Sequence, residues 1–122
     1  MLPEIDVALL ARMNLPARSL ADGESIFVEG DLAGEMFIVH AGEVLIEHRG
    51  KTLDRLAVGD VFGEMALIDG APRSATARAS GPCEVLVLNE RNFIYLVDEM
   101  PYFALKVMRV LAHRLRVMND RV

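Results

Sequence analysis

Short apolar runs alternate with glycine-containing turns along most of the chain. The runs are four to seven residues long, and the glycines recur between them at intervals of about eight to twelve residues. This spacing is typical of an all-β sandwich or barrel, in which short strands are joined by tight turns. The pattern predicts strands over residues 25–28, 36–40, 44–48, 52–58, 74–79 and 83–88.

The two ends of the chain have helical rather than alternating patterns. Helices are predicted over residues 4–13, 89–100 and 102–122. Asn89 is a favourable N-cap for the second helix. Pro101 disfavours helix at the residue before it and suits the first position of the next helix, so it separates the second helix from the third.

The predicted terminal helix carries two neighbouring apolar stripes. One has the alternating spacing of a coiled-coil seam and comprises Ala104, Met108, Leu111, Leu115, Met118 and Val122. The other comprises Phe103, Val107, Val110 and Val117, and is interrupted by Arg114. The two stripes can form one wide face that packs against the rest of the domain. Alternatively, one stripe can pack there while the other contacts a second chain. We favour the second interpretation and expect a homodimer through residues 102–122.

Composition indicates one ordered domain. The chain has 122 residues, of which 52% are hydrophobic and 25% charged, which excludes disorder for most of its length. No apolar run approaches the ~20 residues of a membrane-spanning helix, and the N-terminus lacks the basic region of a signal peptide. The single cysteine, Cys83, excludes an internal disulfide and a cysteine-based metal site. We therefore expect a cytoplasmic protein without metal.

The charge is unevenly distributed. The net charge is −5, which argues against a protein that coats nucleic-acid phosphates. Residues 102–122 nevertheless carry five basic side chains and one acidic one, whereas residues 1–101 carry eight basic and 17 acidic ones. The basic segment is interpreted as a solvated helix face that can also offset the acidic body or steer an anionic ligand.

One segment, residues 61–79, combines groups suited to a sugar phosphate. Gly63 permits close backbone approach, and residues 64–67 can form a short helical turn whose free N–H groups attract an anion. Arg73 offers a planar guanidinium that matches two phosphate oxygens. Glu64 offers acceptors for a ribose hydroxyl.

The same segment resembles the phosphate-binding cassette of the cyclic nucleotide-binding domain family. The family pattern is F-G-E-x-A-L, a short loop, and R-S/A/T-A-x-x-x-A, and residues 62–67 and 73–79 fill every position. Residues 23–31, 36–44 and 56–60 also resemble family segments. The resemblance covers about residues 16–122 and includes catabolite activators, regulatory subunits of cAMP-dependent kinase and bacterial cyclic-nucleotide-gated channels.

The resemblance implies a mainly β fold with flanking helices. Residues 1–122 would form a single domain, with an N-terminal helix over 1–15 and an eight-stranded antiparallel β-roll of the jelly-roll type (double-stranded β-helix) over 16–88. The phosphate-binding cassette would occupy 62–75. Two C-terminal helices over 89–122 would serve as hinge and lid.

The resemblance also assigns site residues. Arg73 would pair with the cyclic phosphate and Glu64 would accept a hydrogen bond from the ribose 2′-OH. The full expected ligand-binding set is Phe62, Gly63, Glu64, Met65, Ala66, Arg73, Ser74 and Ala75. Threonine at the position of Ser74 tends to favour cGMP in the family, whereas serine leaves the choice between the two nucleotides open. We favour cAMP as the ligand, with cGMP as the alternative.

The expected lid residues are Leu115, Met118 and Asn119. In catabolite activators, hydroxyl residues that contact the base stand where Met118 and Asn119 stand here. This departure argues against the same style of adenine recognition. The terminal helix is expected to move when ligand binds.

Three functions fit these features. The first is a stand-alone cyclic nucleotide receptor domain that signals to an unidentified downstream protein through its last helix. The second is the sensor part of a catabolite-activator-type regulator; because no recognition helix follows residue 122, this chain alone is not expected to bind DNA. The third is a vestigial roll that acts as an interaction module. No catalytic residues and no cofactor are expected, since the sequence has no triad order, metal-ligand spacing or Walker loop.

Overall fold

A computed structural model describes residue 10 and residues 12–120, without the side chains of 117–120. The strands are β1 (Ala17–Leu20), β2 (Ser25–Phe27), β3 (Met36–His48), β4 (Lys51–Leu56), β5 (Val61–Phe62) and β6 (Thr76–Leu88). The helices are α1 (Glu64–Asp69), α2 (Glu90–Glu99) and α3 (Tyr102–Asp120). Of the helix predicted over 4–13, residues 4–9 and 11 lie outside the described residues. Leu10 and Arg12 are helical, and Met13 lies in a turn.

The strands form one antiparallel sheet built around two long neighbours. The order is β1-β6-β3-β4, and β2 also pairs with β6 while β5 pairs with β3. Strands β3 and β6 have 13 residues each and pair from Met36 opposite Leu88 to Glu47 opposite Thr76. These two strands are therefore the frame to which the shorter strands attach.

Both long strands bend at a glycine. Gly42 and Gly81 have φ of 82° and 76°, and the register between β3 and β6 shifts around Gly42. A Cβ on Gly42 would lie 2.5 Å from the Pro82 carbonyl oxygen, so the strands cross here more closely than any side chain allows. Each long strand thus serves as two strand segments, as predicted for 36–40 with 44–48 and for 74–79 with 83–88. Counted in this way the sheet has the eight segments of the expected roll, and the predicted fold class is confirmed.

Alternate residues of β3 enter two separate apolar clusters. Phe37 and Val39 point into the roll, whereas Met36 and Ile38 point toward the helices. The roll cluster comprises Leu20, Ile26, Phe37, Val39, Val44, Leu56, Phe62, Ala77, Ala79, Cys83 and Val85. The helix-side cluster comprises Leu10, Met36, Ile38, Val61, Leu86, Leu88, Leu96, Met100, Phe103 and Val107.

The helix boundaries follow the predicted capping residues. The Asn89 side chain accepts a hydrogen bond from the Asn92 backbone N–H at 2.8 Å, and the Asn92 side chain accepts one from the Asn89 N–H at 3.3 Å. This capping box fixes the start of α2 to the end of β6. Helix α2 ends at Glu99, one residue before the predicted end at Met100 and two residues before Pro101.

The two apolar stripes of α3 have different surroundings. Phe103 and Val107 are buried in the helix-side cluster, and Val110 packs against it. Met108 and Leu115 of the other stripe are 53% and 60% exposed. One stripe therefore docks on the body. Within the seam, Met108 and Leu115 face outward, whereas Leu111 packs against the helix-side cluster and Ala104 is partly buried. No helix among the described residues is long and apolar enough to span a membrane.

Candidate functional site

Helix α1 is set between two glycines in the left-handed conformation. Gly63 precedes it with φ of 75°, and Gly70 follows it with φ of 70° and donates its N–H to the Ala66 carbonyl at 2.9 Å. The predicted short helix in the cassette is therefore present, and it extends to Asp69. The glycine before α1 turns the chain so that Glu64, the first helical residue, points inward.

Arg73 lies inside the roll, with 5% of its surface exposed. Its Nη1 donates to the Gly63 carbonyl at 2.9 Å and its Nη2 donates to the Glu35 carbonyl at 2.8 Å. The guanidinium carbon lies 4.2 Å from the centre of the Phe27 ring, a cation–π distance. A Cβ on Gly63 would lie 2.7 Å from Arg73 Nη1, so a glycine is required beside this guanidinium.

Three aromatic rings form the floor under Arg73. The ring centres of Phe37 and Phe62 are 5.2 Å apart, and Phe27 lies 5.8 Å from Phe37 and 6.0 Å from Phe62. Phe62 belongs to the cassette and is fully buried. Its contribution to the site is therefore to support the rings on which Arg73 rests.

The Arg73 guanidinium is a buried cation whose hydrogen-bond acceptors are both neutral carbonyls. Burial lowers the pKa of Arg73, while the negative charges of Glu35, Asp31 and Glu64 raise it. Among the described residues, none accepts a hydrogen bond from Arg73 Nε. A buried charge is costly unless an opposite charge or hydrogen bonds compensate it, so this position favours an anionic ligand.

The backbone of Arg73 is anchored by the loop between β2 and β3. Gly30 donates its N–H to the Arg73 carbonyl at 2.8 Å, and the Arg73 N–H donates to the Asp31 carbonyl at 2.9 Å. These bonds hold Arg73 outside the strand ladder. The strand predicted from residue 74 accordingly begins at Thr76, a small correction to its boundary.

Glu64 has no exposed surface. Its Oε1 accepts a hydrogen bond from Nη1 of Arg114 in α3, and the two side chains form an ion pair. Its Oε2 is buried and has no hydrogen-bond partner within the part of the chain that the structure describes. The carboxylate therefore has one oxygen in an ion pair and one with acceptor capacity to spare.

The other predicted site residues lie at different depths. Ala66 is buried, Met65 is 42% exposed, Ser74 is exposed and Ala75 is partly buried. The Ser74 hydroxyl therefore lies at the surface of the site, whereas Glu64 and Arg73 form its interior. Of the predicted lid residues, Leu115 is 60% exposed, and the side chains of Met118 and Asn119 lie outside the described residues.

Four residues at the site were not predicted as site residues: Phe27, Glu35, Phe37 and Arg114. Glu35 contributes a backbone carbonyl, which no side-chain pattern reveals. Arg114 had a signal, because it occupies the position where the docked stripe of α3 is interrupted. A charged residue on an otherwise apolar docked face indicates a buried partner.

Comparison with known protein families assigns the chain to one of them. The sequence profile described as the cyclic nucleotide-binding domain matches residues 17–100, more than half of the chain. The chain belongs to the cyclic nucleotide-binding domain family. The matched range includes every strand, α1 and the predicted ligand-binding residues.

Individual relatives agree with this assignment. The cyclic AMP receptor protein of Thermus thermophilus is 36% identical over 118 residues, which cover 93% of this chain and 53% of that protein. The crystal structure of Thermus thermophilus catabolite activator protein superposes with a TM-score of 0.79 at 33% identity, covering 94% of this chain and 56% of that chain. A structure titled "A cyclic-GMP-dependent signalling pathway regulates bacterial phytopathogenesis" has a TM-score of 0.72 at 32% identity, covering 93% and 91%. The chain thus spans about half the length of its Thermus relative.

Proposed function

We propose that this chain is a cyclic nucleotide receptor domain that binds cAMP in preference to cGMP and transmits binding through α3. The observation that carries the proposal is the pair of buried charges in the roll. Arg73 has only neutral carbonyls as acceptors, and Glu64 has a buried oxygen to spare. A buried cation and a buried carboxylate acceptor in the same cassette match a ligand with both a phosphate and a ribose hydroxyl.

The phosphate end of the ligand would bind at Arg73. A cyclic phosphate has a single negative charge and two exocyclic oxygens, which suits a guanidinium that carries one positive charge. The first N–H groups of α1, from Glu64, Met65 and Ala66, have no acceptor within the helix and can add hydrogen bonds. The Ser74 hydroxyl and the Ala75 N–H would complete the cradle.

The choice of cAMP is supported by Ser74 and by the relative that covers most of this chain. Serine rather than threonine follows Arg73, and threonine at this position tends to favour cGMP among similar domains. The Thermus relative is named a cyclic AMP receptor protein. A cGMP-dependent protein kinase of Drosophila is 35% identical over 78 residues, so cGMP is the ligand to test against cAMP.

Calorimetric titration of the chain with cAMP and with cGMP tests this proposal. We expect binding of cAMP that Arg73→Ala weakens by about 2–5 kcal/mol, because the phosphate loses its cation. Arg55→Ala is the matched control, since Arg55 is 65% exposed and pairs with Glu43 on the surface. Unchanged affinity in Arg73→Ala, or no binding of either nucleotide, would contradict the proposal.

The exposed seam of α3 supports a homodimer as part of the same function. Met108 and Leu115 of this seam are 53% and 60% exposed on the helix whose other stripe is docked. Packing a second copy against this seam would bury these side chains. It would also couple a movement of α3 in one copy to α3 in the other.

Sedimentation at micromolar concentration, with and without cAMP, tests the dimer. We expect the native chain to dimerise and Leu115→Glu to remain monomeric. His113→Glu is the control, because His113 lies on α3 away from the seam and is exposed. A native chain that is monomeric under both conditions would contradict this proposal.

A second candidate function is favoured by the extent of the Thermus similarity. The chain aligns over 93% of its length with part of a cyclic AMP receptor protein, so it can act as the sensor part of a regulator of that type. A gel-shift assay with this chain at moderate salt tests whether the chain itself binds DNA. Sequence-specific DNA binding by the chain itself would contradict the receptor-only proposal.

A further inference from the structure

Helix α3 sends one charged side chain into the nucleotide site. Arg114 donates from Nη1 to Oε1 of Glu64, although the two residues are 50 positions apart in the sequence. The Arg114 side chain is 33% exposed, whereas the Glu64 side chain is fully buried. Among the ion pairs of the described residues, this one joins α3 to the cassette, and the other four lie within the roll.

The position of Arg114 on α3 is set by the packing of the helix. The stripe of Phe103, Val107 and Val110 docks on the helix-side cluster, and Arg114 is the next residue at the same spacing. Docking of the stripe therefore brings the arginine to the body of the protein. An aliphatic residue here would pack without a desolvation cost, so a charged residue at this position requires another explanation than packing.

The two oxygens of Glu64 are used differently. Oε1 is in the ion pair with Arg114, and Oε2 is buried without a hydrogen-bond partner in the described part of the chain. If Arg114 only competed with a ligand for the carboxylate, the ion pair would consume the acceptor that the ligand needs. The geometry instead leaves one oxygen to spare while the charge of the carboxylate is compensated.

We propose that Arg114 is a positioning residue for ribose recognition. By holding Oε1, it fixes the Glu64 carboxylate in the orientation in which Oε2 binds the ribose 2′-OH. This inference rests on the proposed function and deepens it, because it ties α3 to one specific group of the ligand. The 2′-OH, Glu64 and Arg114 form a chain of contacts from the nucleotide to the terminal helix.

The inference predicts a particular dependence on the 2′-OH. A hydrogen bond to a carboxylate is strong only when the acceptor oxygen is held in place. Among the described residues, Arg114 is the one hydrogen-bond partner of the Glu64 side chain, so without it the carboxylate is free to turn away from the ligand. Removing Arg114 should therefore reduce the affinity gained from the 2′-OH and leave the phosphate contacts at Arg73 intact. A merely structural role would weaken ligands with and without the 2′-OH to the same extent.

The test compares dissociation constants for cAMP and 2′-deoxy-cAMP, measured by calorimetry on the full chain. For the native chain we expect 2′-deoxy-cAMP to bind about tenfold or more weakly than cAMP. In Arg114→Gln this ratio should fall below about threefold, with little change for 2′-deoxy-cAMP. Arg114→Lys, which keeps the charge, should restore part of the ratio, and Arg116→Gln, which alters an exposed residue two positions further on, should leave it unchanged.

A double substitution sharpens the test. Glu64→Gln should also reduce the ratio, and adding Arg114→Gln to it should reduce the ratio no further, because both residues act through the same hydrogen bond. An equal loss of affinity for both ligands in Arg114→Gln would overturn the inference. Tighter binding of cAMP by Arg114→Gln would also overturn it, since the arginine would then compete with the ligand.

The outcomes separate this inference from the function on which it rests. Absence of binding of either nucleotide by the native chain would overturn the proposed function, and the inference with it. Binding by the native chain that Arg73→Ala abolishes, with a ratio that Arg114→Gln leaves unchanged, would overturn the inference alone. Thermal unfolding of each variant shows whether a loss of affinity comes from a loss of folded protein.

Discussion

Strand β3 has two different environments on its two faces. Toward the helices, Met36 and Ile38 join a cluster made only of apolar side chains. Toward the interior of the roll, Phe37 lies beside the guanidinium of Arg73, 5.5 Å from it, and the fully buried Glu64 lies nearby in α1. The comparison teaches that one face of the strand serves packing alone, whereas the other combines packing with the charged groups of the ligand site.

The largest effect on stability is expected in the helix-side cluster. Phe103 is 1% exposed and its ring centre lies 5.7 Å from that of Phe93. Phe103→Ala should lower the free energy of unfolding by about 3–5 kcal/mol, because it leaves a cavity between α3 and the sheet. Urea denaturation measures this, with Tyr102→Ala as control, since Tyr102 is 54% exposed and should cost less than ~0.5 kcal/mol.

For Arg73 inside the roll we expect the opposite: a large effect on cAMP binding and a small effect on the free energy of unfolding. Arg73→Met keeps much of the side-chain volume and should weaken cAMP binding by about 2–5 kcal/mol. It should change the free energy of unfolding by no more than about 1 kcal/mol, because removing a desolvated charge offsets the loss of two hydrogen bonds. Calorimetry and urea denaturation on the same preparation check both values. A loss of stability as large as that of Phe103→Ala would remove the contrast between the two faces.

Gly63 and Gly70 have the same backbone conformation, and replacing each in turn tests whether Gly63 positions Arg73 for ligand binding. The expected effects are smaller than those above. Gly63→Ala and Gly70→Ala both place a side chain at positive φ and should each cost about 1–2 kcal/mol of stability. A Cβ on Gly63 also meets Arg73 Nη1, whereas a Cβ on Gly70 meets nothing within 4 Å. Gly63→Ala should therefore weaken cAMP binding and Gly70→Ala should not. Equal affinities in the two variants would show that the position of Arg73 does not depend on Gly63.

The smallest expected effect is on the chemistry of Cys83. Burial in the roll cluster raises the pKa of the Cys83 thiol, and Glu24 raises it further. Because the thiolate is the reactive form, the thiol should react with Ellman's reagent more slowly than free cysteine at pH 8. The rate should rise to that of free cysteine in urea. Rapid reaction in the native chain would show that the roll opens easily on this side.

Most of the fold could be predicted because its signals are local. Glycine turns mark the strand boundaries, and Asn89 and Pro101 mark the helix boundaries. Strands β1 and β5 were not predicted, since four and two residues are too few to show alternation. Their pairing depends on distant residues, as for Ala17 opposite Leu86.

The site could be predicted only where a motif lies within one segment. Glu64 and Arg73 belong to the cassette and were identified from it. Arg114 reaches Glu64 only after α3 has packed on the body, which no spacing within the cassette encodes. Glu35 acts through its backbone carbonyl, so its side chain gives no indication of its role.

The alternation along β3 has a consequence for how this domain can change over generations. Since neighbouring residues serve different clusters, a single substitution can alter the ligand pocket while the packing of the helices is inherited unchanged, or the reverse. A deletion of one residue between Met36 and Val39 would instead exchange the two faces and damage both at once. The ligand preference can therefore change through point substitutions in this strand, but not through insertions or deletions.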